Sequence, residues 1–411
     1  MTRTTQCRFC SQPLTEVFAD LGMSPLANAY LSADQLSQME PFYPLRALTC
    51  ERCFLVQLEE YESPDAIFSD YAYFSSYSST WLEHSRRYAE QMVAQLRLGS
   101  GSHVVELASN DGYLLKYFME HGIPVLGIEP AANVAKVALE QGIRTIVKFF
   151  GRATAREVAA MLRADLLIGN NVLAHVPDLN DFVAGMKILL APEGTITMEF
   201  PHLMHLVEDN EFDTIYHEHF SYFSFLTASR VFEAHELKLF DVEELPTHGG
   251  SLRVYGRHAQ DVSRSVSERA QELLARERDA GYERIETYRD YAVKVKAAKW
   301  ELLELLISER RAGRSIVAYG APAKGNTLLN YCGVGTDLID YTADLNPHKQ
   351  GRFLPGTHIP IRAPEVIRET RPDVVLILPW NLKDEIVEQL SFVHEWGGRF
   401  LVRAPSLEFV E

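Results

Sequence analysis

From His103 onward, short apolar runs alternate with stretches of helical periodicity. Residues 104–107, 125–129, 165–168 and 195–200 are strand-sized, and 238–255 reads as a closing pair of strands around Thr247-His248-Gly249-Gly250. Strands interleaved with helices predict a mostly parallel sheet, with ligands beyond the carboxyl ends of its strands. A polar helical stretch over about 262–311 is longer than a linker needs, so it predicts helices packed on or between domains. Beyond it, a strand at 315–319, the loop Gly320-Ala321-Pro322-Ala323-Lys324-Gly325-Asn326, a helix, a strand ending near Asp344, and strands at 374–378 and 400–403 predict a second, smaller α/β unit. Ahead of the first unit lie short strands at 46–50 and 54–58, a segment rich in aromatics and hydroxyls at 67–79, and a helical pattern over 81–98. That aromatic segment reads either as a packed loop or as a lid over a polar substrate.

The length of 411 residues suits two or three domains, and 46% hydrophobic with 23% charged residues is the balance of a soluble globular protein. Apolar runs are far too short to span a bilayer, and the N-terminus lacks the apolar core of a signal peptide, so a cytoplasmic protein without membrane attachment is expected. A formal charge of −16 argues against nucleic-acid binding, which needs a basic surface. A small phosphorylated ligand needs only a few local donors, and a monomer or small homo-oligomer is expected.

The cysteines sharpen the N-terminal part. Cys7 and Cys10, and Cys50 and Cys53, form two C-x-x-C pairs, while Cys332 stands alone. Two such turns complete a tetrahedral four-thiolate shell, which predicts structural zinc. Without an export signal, disulfides are the weaker reading. A closed thiolate shell leaves no position for water, so the ion folds the module and does no chemistry.

The run Glu106-Leu107-Ala108-Ser109-Asn110-Asp111-Gly112, a helix, and then Glu129 at the end of the next strand form a generic adenosine-binding arrangement, spaced near the ~20 residues expected. A pyrophosphate loop would be richer in glycine. One glycine with Asn110 and Asp111 fits S-adenosylmethionine better, leaving another α/β nucleotide binder as the alternative. The most unusual stretch is Tyr216-His217-Glu218-His219, where Tyr216, Glu218 and His219 could together remove a proton and hold an oxyanion. It lacks the H-E-x-x-H spacing of a hydrolytic zinc helix, and one of its histidines could instead be structural. His175, just past a strand end, is a second candidate for polarising a carbonyl, or a packing residue.

These motifs, with Asn171-Val172-Leu173-Ala174-His175-Val176 and the loop from Gly320 to Asn326, occur in an order that resembles the sugar C-methyltransferases of deoxysugar biosynthesis, which act on nucleotide-linked 4-keto-6-deoxyhexoses. The likeness covers nearly the whole chain; the main departure is Ala108, where methyltransferases often have glycine. It implies an α/β protein with a zinc-binding module (1–70), a central Rossmann-like methyltransferase domain (71–258) and a C-terminal Rossmann-like domain (259–411), the sugar nucleotide lying between the latter two. By position it implies zinc on Cys7, Cys10, Cys50 and Cys53. S-adenosylmethionine falls to Glu106, Ala108, Asn110, Gly112, Glu129, Pro130, Asn170 and Asn171. His219 becomes the general base, aided by Glu218, Tyr216, His175 and a lid tyrosine, Tyr71 or else Tyr73. Lys324, Asn326, His248 and Ser251 are the expected contacts to substrate. The expected reaction is methylation of C3, with C5 methylation or an NAD(P)-dependent nucleotide-sugar oxidoreductase or epimerase as alternatives. The glycine-rich fingerprint and Tyr-x-x-x-Lys pair of the oxidoreductases are not well placed here.

Overall fold

The computed structural model describes residues 5–62, 75–77 and 79–410. Of the 67–79 segment, residues 67–74, with Tyr71 and Tyr73, and residue 78 fall outside the described residues.

Three sheets organise the molecule. The first runs β1 (Glu16–Ser24), β2 (Tyr43–Thr49), β3 (Val56–Leu58) and then β9 (Ser221–Tyr222), which arrives from the middle of the chain. Val56 pairs with Tyr222 and Gln57 with Ser221, so the segment just after the Tyr216–His219 strip is stitched to the cysteine module.

The second sheet has the order β10-β11-β8-β7-β4-β5-β6. Here β4 is Val104–Leu107, β5 Val125–Ile128, β6 Thr145–Ile146, β7 Ala164–Asn170, β8 Leu190–Pro201, β10 Leu237–Leu245 and β11 Ser251–His258. Strands β4 to β8 are parallel, and β11 runs antiparallel between β8 and β10. The chain order reverses at β4, flanked by β7 and β5, and such a reversal opens a crevice at the strands' carboxyl ends. The 4-residue β4, Val-Val-Glu-Leu, is buried throughout, as the centre of a parallel sheet requires.

The third sheet, β14 (Ile361–Arg362), β13 (Thr342–Ala343), β12 (Ile316–Tyr319), β15 (Val374–Ile377), β16 (Arg399–Val402) and β17 (Glu408–Val410) in that order, repeats this plan around β12, with β13 and β15 on either side. The last strand, β17, is antiparallel and closes its edge.

Helices fill the faces. Among them, α1 (Ser79–Leu96) precedes β4, and α2 (Leu115–Glu120) follows the turn after it. Side-chain caps start three later ones: Asp178 before Leu179–Leu189, Ser224 before Phe225–Ala234 and Ser267 before Glu268–Asp279. The 27-residue helix Ile285–Arg311 joins the parts of the molecule. Its Tyr291 stacks on Phe18 of β1 at 4.5 Å between ring centroids, and its buried Leu302 and Leu306 share a core with Ile316 and Leu376 of the third sheet. Among the described residues no helix is long and apolar enough to cross a membrane.

Candidate active site

One cavity of about 630 Å³ opens at the carboxyl ends of both α/β sheets. Its wall contains Ala108, Asn110, Glu129 and Pro130 from the β4 and β5 ends, and Asn170, Asn171 and His175 from the β7 end. Tyr216, Glu218 and His219 come from the loop before β9, His248 from the hairpin turn, and Lys324 and Lys349 from the C-terminal unit.

The β4–α2 turn folds through left-handed backbone. Ala108 has φ 54°, Asn110 φ 50° and Gly112 φ 80°. Ala108 therefore occupies a conformation that favours glycine, at roughly 1–2 kcal/mol for an L-residue. A side chain on Gly112 would collide with Ile143, so that glycine serves helix–strand packing behind the wall. The Glu129 carboxylate accepts from the Asn110 amide at 2.9 Å and from the Ala131 amide at 2.8 Å. Each oxygen keeps a lone pair for a ligand hydroxyl. Burial raises the Glu129 carboxyl above its ordinary range, and the two amides oppose that shift. Asn110 Oδ1 accepts from the Ser75 amide at 3.0 Å and Asp111 Oδ2 from the Ser76 amide at 3.1 Å, tying the end of the aromatic segment to this turn. On the facing wall, Asn170 Oδ1 and Asn171 Oδ1 are buried without a hydrogen-bond partner among the described residues. Unmatched wall oxygens beside a carboxylate fit a ligand that brings its own hydroxyls and ammonium, as S-adenosylmethionine does.

The second wall is catalytic in character. His219 is 9% exposed, and its Nδ1 lies 3.0 Å from the Thr214 carbonyl. A carbonyl only accepts, so Nδ1 carries the proton and Nε2 the lone pair. His175 has the same tautomer, with Nδ1 2.8 Å from the Glu218 carbonyl. The two imidazoles stand 4.7 Å apart, and the Tyr216 ring is 4.1 Å from His219. Burial pushes the His219 imidazolium well below the usual histidine range, and His175 adds to it. Burial likewise lowers His175 to about 4 and His248 to about 4. At neutral pH this is a cluster of neutral bases.

Glu218 is buried too, which raises its carboxyl, and Asn28 of the cysteine module donates to it at 2.6 Å. His217, the other histidine of the strip, turns away and meets the Pro44 carbonyl at 3.2 Å, so the structural role falls to it.

At the C-terminal end, Lys324 Nζ donates to Asn381 at 2.6 Å and lies 4.0 Å from the centre of the Trp380 ring. Trp380 in turn donates to Asp213 at 2.8 Å. Lys349 donates to the Ala321 carbonyl at 2.9 Å. Both ammonium groups flank Pro322 and Ala323, where helix Ala323–Cys332 begins.

Four expected residues stand off the wall. Glu106 is fully buried beneath it, and burial drives its carboxyl well above the usual range. Gly112 packs against Ile143. Asn326 turns back to donate to the Ala27 carbonyl at 2.6 Å, and Ser251 donates to the Thr247 carbonyl at 3.0 Å. Conversely, Asn28, Tyr30, Trp81 and Lys349 belong to the site's surroundings without a sequence signal. Tyr30 hydroxyl donates to the Ala321 carbonyl at 2.5 Å. The cysteine module thus reaches Glu218 on the cavity wall and Ala321 of the C-terminal unit.

The four cysteines of the two pairs converge. Their sulfurs all lie within 4.8 Å of one another, and none is in a disulfide. Cys7 and Cys53 are 3.6 Å apart, Cys10 and Cys50 3.4 Å, near the ~3.8 Å edge of a tetrahedron with zinc–sulfur bonds of about 2.3 Å. Contacts with Cys50 and Cys53 lower the Cys7 thiol, while contacts with Cys50 and Cys7 raise Cys53. Only a cation lets all four ionise, so the cluster fits zinc.

Comparisons with known proteins agree with this layout. A zinc binding domain family matches residues 7–68, a methyltransferase domain family 81–242, and a C-methyltransferase C-terminal domain family 246–405. Among solved structures, the chain is similar to the Burkholderia thailandensis 1,6-didemethyltoxoflavin-N1-methyltransferase, at 18% identity and TM-score 0.36, over 50% of this chain and 95% of that one. It is also similar to a complex of the Haloferax volcanii Trm112 methyltransferase activator with its methyltransferase, at 14% identity and TM-score 0.35, over 43% and 91%. The C-methyltransferase NovU of Streptomyces niveus is 36% identical over 402 residues, which is 98% of this chain and 96% of that protein. The chain belongs to the sugar C-methyltransferase family and is an S-adenosylmethionine-dependent C-methyltransferase.

Proposed function

We propose that the enzyme methylates C3 of a nucleotide-linked 4-keto-6-deoxy sugar, a thymidine diphosphate sugar by the family resemblance, as a step of deoxysugar biosynthesis. A carbon beside a ketone is acidic because its anion delocalises onto oxygen. The enzyme must hold a base at that C–H and donors at the ketone oxygen. The observation that carries this reading is the His219 ring: its Nδ1 proton is committed to Thr214, which leaves Nε2 as a neutral base. Tyr216 flanks that ring, and we assign its hydroxyl to the enolate oxygen. His175, expected to help there, has its one proton committed to the Glu218 carbonyl and is assigned instead as a second neutral base beside His219. S-adenosylmethionine supplies an electrophilic methyl on a sulfonium. Glu129, Asn110, Pro130, Asn170 and Asn171 are the residues we assign to hold it, with Ala108 at their edge. Buried Glu106 and Gly112 support that wall from behind.

Lys324, Lys349 and the amides at the start of helix Ala323–Cys332 would neutralise the substrate diphosphate, giving a protein of charge −16 the local donors it needs. His248 closes the rim through its 3.2 Å contact with Asn171. Asn326 and Ser251 act from behind by fixing Ala27 and Thr247. Tyr71, or Tyr73, is assigned to a lid over the sugar and lies outside the described residues. Incubating the enzyme with methyl donor and a panel of 4-keto sugar nucleotides, then locating the new methyl by proton NMR, tests the proposal. A single methyl on C3 is expected. A methyl on C5, or on oxygen or nitrogen, would overturn it.

A further inference from the structure

A second group of ligating side chains lies outside both the thiol cluster and the cavity. His202, His205 and Glu244 each bring one donor atom within 4.8 Å of the other two. His202 is 1% exposed, and its Nε2 lies 2.7 Å from Glu277 Oε1. That carboxylate already accepts from the Phe225 amide at 2.7 Å and, through its other oxygen, from the Leu226 amide at 2.7 Å. The proton of His202 therefore sits on Nε2, and its Nδ1 is a bare lone pair, buried with no hydrogen-bond partner among the described residues. A carboxylate that orients an imidazole by one nitrogen and leaves the other bare is the arrangement that backs metal-ligating histidines.

His205 stands one turn further along the helix Leu203–Glu208, its ring 5.4 Å from that of His202. Its Nδ1 is 3.6 Å from Asp209, and its Nε2 is 3.9 Å from Glu244 Oε1. Arg276 also pairs with Glu244 and stands where it would compete with an ion.

We propose that His202 Nδ1, His205 Nε2 and Glu244 form a divalent-cation site distinct from the four-cysteine site, suited to zinc or a similar borderline ion. Two imidazoles and a carboxylate are the donor set such ions select. Zinc–nitrogen bonds of about 2.0–2.1 Å require the donors to close on the ion. The side chains of His205 and Glu244, 35% and 43% exposed, have the freedom to do so. The ion would tie the end of strand Leu237–Leu245 to the start of helix Leu203–Glu208. Between Glu244 and the next strand lies the turn Thr247–Gly249, which carries His248 into the cavity rim. Occupancy would stiffen that turn.

The test is equilibrium dialysis of the full-length protein, with its cysteine-bound zinc retained, against buffered free zinc. One further equivalent per chain is expected. His205→Ala should weaken it at least tenfold and Glu277→Gln about 10–100-fold. Arg276→Ala, which frees Glu244, should tighten it. No second equivalent, or one that is insensitive to His205→Ala and Glu244→Gln, would overturn the proposal. So would a second equivalent lost in His219→Asn, since that result would put the ion on the cavity imidazoles.

Discussion

The cysteine cluster and the imidazole pair of the cavity pose the same physical problem and solve it in opposite ways. At Cys7, Cys10, Cys50 and Cys53, four thiols crowd one point, and a bound cation supplies the order. At His175 and His219, rings 4.7 Å apart would repel as imidazolium ions, and the chain prevents that by itself. Burial keeps both neutral, and the Glu218 and Thr214 carbonyls fix where each proton sits. One cluster is ordered by what it binds; the other is ordered before anything binds, as a base needs to be.

Breaking the first cluster should have the largest effect. Removing zinc by chelation, or substituting Cys50→Ala, should unfold the N-terminal module, since structural zinc is worth about 10–16 kcal/mol in small zinc modules. It should abolish activity as well, because Asn28 and Tyr30 reach Glu218 and Ala321 from that module. Zinc content, circular dichroism and turnover read this together; full turnover after zinc loss would contradict the link. Breaking the second cluster should leave the fold intact. His219→Asn is expected to lower turnover about 10²–10⁴-fold with an unchanged melting temperature.

The pH profile sharpens the contrast. His219 acts when neutral, so activity is present above its pKa and lost as pH falls through it. Burial has moved that pKa well below the usual histidine range, so the acid limb of kcat/KM should fall below pH 6.5. An acid limb at an ordinary histidine pKa would mean that the ring is solvated in the working enzyme. Lys324→Ala should raise KM for the sugar nucleotide about tenfold or more, as loss of a charge-assisted contact does, and leave cofactor affinity unchanged by calorimetry. Smallest is Ala108→Gly: relief of a left-handed alanine, offset by the backbone freedom of glycine, should add up to about 1 kcal/mol of stability, read by denaturant melts.

What the sequence reveals follows the range of the interaction. The two C-x-x-C turns and the alternation of strands with helices are local patterns, and both appear where their spacing predicts. Strand Glu16–Ser24 escapes such reading because its pairing with Tyr43–Thr49 slips register twice, which breaks the period-two pattern. Strand Ser221–Tyr222 is two residues long and exists only through its partner in the cysteine module. Side-chain direction is similarly hidden. Lys324 and Asn326 are two residues apart at the start of one helix, and that spacing sends them to different faces, one to the cavity and the other to Ala27. Asn28 and Lys349 reach the site only through tertiary packing, and no motif marks them.

The most direct test follows proton removal without methyl transfer. Enzyme, 4-keto sugar nucleotide and S-adenosylhomocysteine in deuterated water should exchange the hydrogen on C3 for deuterium, as seen by NMR, and His219→Asn should not. Exchange that persists in His219→Asn at the wild-type rate would contradict the assignment of His219 as the base.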